Sequence, residues 1–458
     1  MYNLDFNKPI HVFFCGIGGI SMSGLAEILL SRGFIVSGSD MKSSDITDSL
    51  EAKGINISIG QRASNITDDI ELFVYTAAIK EDNPEWQSVL AKNIPSISRA
   101  ELLGQIMRNY EFPVAISGTH GKTTTTSMIS EILLWADTDP TLSIGGILKS
   151  IGGNIRIGHS PYFVTEACEY TNSFLSFFPK IALILNIEED HLDFFKDIND
   201  IRNSFKKFAS LLPKDGALVI NGEIDHIEDI TASLKCSIYT YGFDERFDYY
   251  ATDISFDELG HPSYTLHSPK GECHVSLSVP GMHNVSNSLA AICCGDLCEI
   301  ERGNIVAALR SFTGTDRRFE FKGKIHDVTI IDDYAHHPTE ISATLASAAN
   351  YPHKKLWVVF QPHTYTRTKA FLTDFADALS AADEVILADI YAAREKNTIG
   401  ISSKDLMEEI LKRQTNCHYF PSFDEIENFI LENCSSGDLL ITMGAGDIVN
   451  VGESLLGL

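Results

Sequence analysis

No stretch of this chain stays apolar for anything near the roughly 18 residues that a membrane-spanning helix needs. The opening residues, MYNLDFNKPI, lack the basic cluster and apolar core of a leader peptide, so a cytoplasmic protein with no membrane partner is expected. Cationic charge is scarce: 36 lysines and arginines face 62 aspartates and glutamates, a formal net charge of −26. Nucleic acid is therefore not expected as a partner, and a phosphate site must be built from local devices such as a lysine or a helix N-terminus. The nine cysteines include no CxxC pair, which argues against a zinc centre or disulfide frame and for reduced thiols. Cys294 and Cys298 share a helix face and fit small packing residues better than metal ligands. There is no repeat and no low-complexity tract. At 458 residues the chain can form about two to four domains, each with its own core.

What is present is concentrated in residues 114–125, VAISGTHGKTTT. A β-like segment empties into a loop framed by Gly118 and Gly121 and closed by Lys122-Thr123. Such glycines let backbone N–H groups turn inward toward phosphate oxygens, and the helix that follows adds its N-terminal dipole. Lys122 is placed to reach the β/γ-phosphates of ATP and Thr123 to ligate Mg²⁺. The spacing is shorter than the general GxxxxGK[ST] pattern: Ile116 stands at the first glycine position, and only Thr119 and His120 separate the two glycines. A plain strand-to-helix turn is the alternative for a bare GK[ST].

The pattern along the chain falls into three α/β blocks. In 1–110, HVFFC runs into Gly16-Ile17-Gly18-Gly19, then a helix with Met22, Leu25, Ala26 and Leu29 on one face, stopped by Gly33. FIVSGSD follows and ends in Asp40, completing a βαβ unit of the dinucleotide-binding kind, although Ser21 stands where its third glycine belongs. ELFVYTAAI (71–79) predicts a further strand. The block 111–316 begins with the ATP loop and continues with YFVTEA and IALILNI, two strands that bring Glu166 and Asn186 to their C-terminal ends. Short strands and turns from about 216 to 280 predict an antiparallel patch, and GMHNVSNSLAAI a turn into a helix. TGTDRRFEFKG (313–323) reads as a linker. In 317–458, VTIID, LWVVF, EVILADI and DLLITMG alternate with helical stretches near 338–350, 368–380 and 402–433, the last interrupted by CHYF. The fold class is thus α/β: Rossmann-like domains at both ends, and a central P-loop ATPase domain with a mainly parallel sheet.

Several groups converge on the ATP loop. Glu166 ends a buried strand, where a carboxylate is costly unless it meets a cation such as Mg²⁺; Glu169, three residues on, is an equal candidate. His191, in NIEEDH, is either a loop residue or a further ligand, better suited to Mn²⁺ than to Mg²⁺. Asn284 and Asn287 either cap a turn and helix or read an adenine edge.

Taken in order, GIGGISMSG, SGTHGKTTT, EACEY, NIEEDH, GMHNVSNSLAA, RRFE, DDYAHHPTE, FQPHTYTR and MGAGDI resemble the Mur ligase family over essentially the whole chain. The resemblance implies an ATP-dependent ligase of peptidoglycan precursor synthesis. It would join L-alanine to the lactyl carboxylate of UDP-N-acetylmuramate through an acyl phosphate, as a monomer or dimer. It implies that Gly16, Gly18, Gly19, Ser21 and Asp40 bind the UDP-sugar. Gly118, Thr119, His120, Gly121, Lys122, Thr123, Thr124, Asn284, Asn287, Arg318 and Asp333 would then bind ATP, and Thr123, Glu166 and His191 the metal. Lys122, His191, Arg318 and Asp333 take catalytic roles, and His336, His337, His363 and Arg367 line the amino-acid end. Three residues depart from the family pattern: Ser21 replaces a common glycine, Cys168 a common aspartate and Thr364 a common arginine. A recycling ligase that attaches a preformed tripeptide to the same UDP-sugar shares the ATP site, but FQPHTYTR favours the amino-acid enzyme. An NAD-dependent oxidoreductase built on the GIGG loop leaves SGTHGKTTT, EACEY and NIEEDH unexplained.

Overall fold

The computed structural model describes residues 2–458 with the exception of 77 and 394, and its three α/β domains are each built around a mainly parallel sheet. In the first domain, HVFFC forms a strand buried along its whole length: Val12 and Phe14 enter one hydrophobic cluster, and Phe13 and Cys15 another. A strand covered on both faces has no reason to alternate, which is why the run is uniformly apolar. The five parallel strands lie in the order Asn56–Ile59, Ile35–Asp40, His11–Cys15, Leu72–Tyr75, Ser96–Ser98. Chain order reverses beside His11–Cys15, so the GIGG loop opens at the switch point where such sheets receive ligands. Helix Ile20–Ser31 buries Met22, Leu25, Ala26 and Leu29. The segment expected over 71–79 is a strand only as far as Tyr75, and Ala77 lies outside the described residues.

The second sheet has ten strands. Near its centre Phe112–Ser117 runs parallel to Tyr162–Glu166 on one side and Ile181–Ile184 on the other. Three adjacent strand ends therefore deliver the ATP loop, Glu166 and the NIEEDH loop to one edge. The antiparallel patch is smaller than expected. Ala217–Asn221 and Ser237–Gly242 extend the parallel sheet, joined by the crossover helix Ile227–Thr231, and within that stretch the antiparallel ribbon is Tyr249–Phe256, Pro262–His267 and Cys273–Ser276. The burial patterns explain the split: Ala217–Asn221 is almost wholly buried, whereas Pro262–His267 alternates. Cys293, Cys294 and Cys298 pack in the hydrophobic cluster around helix Met282–Leu297, as the small-residue reading expects.

The third sheet runs Glu320–Ile325, Val328–Asp333, Leu439–Met443, Leu356–Phe360, Glu384–Leu387, Asn416–Tyr419, antiparallel only at its first pair. The expected linker is thus partly the edge strand Glu320–Ile325. CHYF is not a break within one helix: Asn416–Tyr419 is the opposite edge strand, separating helices Ser403–Leu411 and Phe423–Asn433. Separate clusters cover the two faces of this sheet.

Candidate active site

The ATP loop turns through Gly118 at φ +148 and Gly121 at φ +81, conformations a side chain would strain. Space forbids one as well: a Cβ on Gly118 would stand 2.9 Å from the Leu185 side chain and one on Gly121 2.7 Å from Asn287 Oδ1. Asn186 staples the loop to the next strand end. Its Oδ1 accepts from His120 N at 2.7 Å, its Nδ2 donates to His120 O at 3.1 Å, and its backbone oxygen accepts from Thr119 N. Helix Lys122–Trp135 starts directly after Gly121, so its free N–H groups and dipole face the loop.

Thr123, Glu166, His191 and Lys122 line one cavity of about 650 Å³ that also reaches Cys168, Arg318, Tyr334 and His336. Lys122 Nζ donates to Thr119 O at 3.0 Å and pairs with Glu169 Oε2 at 3.0 Å; burial acts to lower its pKa, but Glu169 overrides this and holds it well above the usual range. Glu169 is thereby the partner of the lysine. Glu166 accepts from Gly145 N at 2.6 Å, and among the described residues no cation lies within ion-pair distance of it. His191 is pushed down by burial and so offers a neutral imidazole. A hydroxyl, an unpaired carboxylate and a neutral imidazole on one cavity fit a divalent cation. Another grouping of metal-type side chains, His120, Glu188 and His337, is already occupied by protein contacts. His337 accepts from Thr339 N through Nδ1 and reaches Glu189 O through Nε2, and His120 Nδ1 meets Glu340 Oε1 at 3.1 Å.

A second cavity, of about 230 Å³, is lined by Gly121, Thr124, His283, Asn284, Asn287, Arg318 and Asp333. Asn284 Nδ2 donates to Pro280 O and Asn287 Nδ2 to Asn284 Oδ1, an arrangement that fixes both buried amides. Asp333 accepts from Phe319 N and Ala335 N at 2.8 and 2.7 Å, while burial, opposed by Arg318, raises its pKa to about 6. Arg318 lies over the Tyr334 ring.

The third domain reaches this site through consecutive residues of one loop. Thr339 donates to Glu188, His337 meets the Glu189 carbonyl, and Arg367 pairs with Asp190 Oδ1 through Nη2 at 2.8 Å and Nε at 3.3 Å. His363, whose Nδ1 lies 3.2 Å from Arg367 Nη1, shares a third cavity of about 700 Å³ with Asp190, His191 and Arg367. His336 and His363 are both pushed down by burial to about 4. In the first domain the GIGG loop is braced by Asp40, which accepts from Gly18 N at 2.9 Å, and Ser21 projects from the first turn of its helix.

Three family models cover the chain in sequence: the Mur ligase family catalytic domain over residues 11–111, the Mur ligase middle domain over 116–295, and the Mur ligase glutamate ligase domain over 317–446. The chain belongs to the Mur ligase family. Mur ligases are ATP-dependent and need a divalent metal. It is 61% identical over 457 residues to the UDP-N-acetylmuramate–L-alanine ligase of Agathobacter rectalis, and 59% identical over 459 residues to that of Lachnospira eligens, with 100% of each chain covered in both cases. The crystal structure of the UDP-N-acetylmuramate–alanine ligase of Thermotoga maritima superposes with a TM-score of 0.80 at 28% identity, covering 98% of both chains. A murein peptide ligase from Psychrobacter arcticus gives 0.69 at 25% identity, also covering 98% of each.

In this Mur ligase Thr119, His120, Gly121, Lys122, Thr123, Glu166 and His191 line one cavity, and Thr124, Asn284 and Asn287 line the next. The sequence alone does not point to His283 in the second cavity, nor to Asp190 and Glu340 as partners of Arg367 and His120. The signal for Asp190 was present in NIEEDH and for Glu340 at the end of DDYAHHPTE, but their partners lie 177 and 220 residues away.

Proposed function

We propose that this Mur ligase joins L-alanine to the lactyl carboxylate of UDP-N-acetylmuramate in the cytoplasm, driven by ATP with Mg²⁺ and with Mn²⁺ as a competent replacement. Residues 1–110 hold the UDP-sugar, 111–316 hold ATP and 317–458 bring the amino acid. The observation that supports this most is a shared wall: Asp190 and His191 line both the cavity that holds Lys122 and the one that holds His363 and Arg367. An amine entering on the third-domain side meets a phosphorylated acceptor without leaving the protein.

In the first step a lactyl carboxylate oxygen attacks the γ-phosphorus as the bond to ADP breaks. Lys122 takes charge from the β/γ oxygens, exchanging Glu169 for phosphate, and the loop N–H groups fix the in-line geometry. Thr123, Glu166 and His191 would hold the divalent cation, which would supply charge neutralisation for the transferred phosphoryl group. In the second step the neutral amine nitrogen attacks the acyl carbon, phosphate leaves, and the nitrogen's surplus proton passes to the departing phosphate; Lys122, on the wall of the same cavity, would stabilise the developing oxyanion. Arg367 is proposed to hold the carboxylate of L-alanine. Of its five N–H groups three are engaged, by Asp190 and His363, so two remain for a carboxylate. Asn284, Asn287, Arg318 and Asp333 seat the adenosine end, and Gly16, Gly18, Gly19, Ser21 and Asp40 the UDP end.

The test is ADP release by the purified protein with ATP, Mg²⁺ and UDP-N-acetylmuramate, amines being added one at a time. The expected result is release with L-alanine and a product heavier by one alanyl residue. Release with a muramyl tripeptide and none with L-alanine would mark a recycling ligase instead.

A further inference from the structure

Arg99 begins helix Arg99–Met107 of the first domain, and its Nη1 donates to Ser21 Oγ at 3.0 Å across the mouth of the GIGG loop. The side chain is half-buried, and among the described residues no carboxylate lies within ion-pair distance of it. In a chain with net charge −26 a sheltered guanidinium without an anion carries an uncompensated desolvation cost. Burial accordingly lowers its pKa, and the neighbour that acts on it electrostatically from the second domain is Cys168. The Cys168 thiol is itself pushed up by burial and is therefore neutral. Cys168 thus offers Arg99 no charge, and the Ser21 hydroxyl holds the guanidinium in place. Cys168 lines the phosphate cavity together with Lys122, Glu166 and Ile20, the residue before Ser21. Arg99 thus stands between the UDP cradle and the site of phosphoryl transfer.

We propose that Arg99 receives the lactyl carboxylate of UDP-N-acetylmuramate and aims it at the γ-phosphate, with Ser21 as its positioning residue; this rests on the reaction proposed above. A planar guanidinium binds a carboxylate through two parallel N–H···O bonds and offsets its repulsion from the phosphate. One carboxylate oxygen then forms the bond to phosphorus as the bond to ADP breaks. The other stays against Arg99 and becomes the carbonyl oxygen of the acyl phosphate.

The experiment titrates the full-length protein with UDP-N-acetylmuramate and with UDP-N-acetylglucosamine, which lacks the lactyl group. Arg99→Met should weaken UDP-N-acetylmuramate by on the order of 10- to 100-fold, the scale of a lost hydrogen-bonded charge contact, with UDP-N-acetylglucosamine and ATP affinities unchanged. Arg99→Lys, which keeps the charge, should fall between, and Ser21→Ala should weaken UDP-N-acetylmuramate by a larger factor than UDP-N-acetylglucosamine. An equal loss for both sugars would put the guanidinium on the pyrophosphate and overturn the proposal, as would no loss for either in Arg99→Lys and Arg99→Met. Failure of the wild-type protein to bind UDP-N-acetylmuramate would overturn the parent reading instead.

Discussion

Among the described residues Lys122 pairs its largely buried ammonium with one carboxylate, Glu169, beside a second carboxylate, Glu166, that has no cation within ion-pair distance. The two glutamates therefore have different work, which EACEY alone does not reveal because both lie in the same short segment. Lys122→Ala is expected to lower kcat by at least about 10²-fold, the cost of removing one preorganised charge donor from a transition state, as read in single-turnover assays. Glu166→Ala should raise the Mg²⁺ concentration needed for half-maximal rate by at least about 10-fold, since even outer-shell partners of a metal shift its affinity by 10- to 100-fold. Glu169→Ala should lower the rate with the Mg²⁺ requirement unchanged. The reverse pattern in a metal titration would move the ligand assignment to Glu169.

Among the elements, the NIEEDH loop joins two domains: Glu188, Glu189 and Asp190 each take a contact from the third domain, and the next residue, His191, lines the cavity that holds Lys122. His120 of the ATP loop is held on the same seam, 3.1 Å from Glu340 and 3.5 Å from Glu188. Burial acts against its imidazolium, yet the two carboxylates outweigh it and raise the pKa to about 9 from 6.5. A group raised in the docked state stabilises that state fully below about pH 6.5, and the contribution disappears as pH rises through about 9. Docking of the third domain should therefore loosen across that window, measured by fluorescence transfer between labels on the two domains, and His120→Gln should flatten the profile. A pH-independent distance in the wild-type protein would contradict it. The glycine loops, the strand ends and the helices after them were legible in the sequence, since each is a contiguous stretch whose pattern states its own conformation. The seam was not, because His120 and Glu340 are 220 residues apart and only tertiary packing pairs them. The same limit blurred 216–280, where two parallel strands joined by a short helix, only the first of them buried, read like the alternating ribbon beyond them.

For the whole molecule, three mainly parallel sheets converge on one set of cavities, and Arg367 and Asp190, nearly buried against each other, tie the third domain to the second. Arg367→Ala should raise KM for L-alanine at least about 10-fold with KM for ATP near normal, because what it removes is uniform binding of one substrate. An unchanged L-alanine KM in steady-state titration would count against its placement. The central claim is that the acceptor carboxylate takes the γ-phosphoryl group of ATP through one of its own oxygens, and that the amine then displaces phosphate from the acyl carbon. Its most direct test uses UDP-N-acetylmuramate carrying ¹⁸O in both lactyl carboxylate oxygens, with the phosphate formed during turnover analysed by mass. The account predicts one ¹⁸O in each inorganic phosphate released and ADP free of label; phosphate without ¹⁸O, or label in AMP, would contradict it.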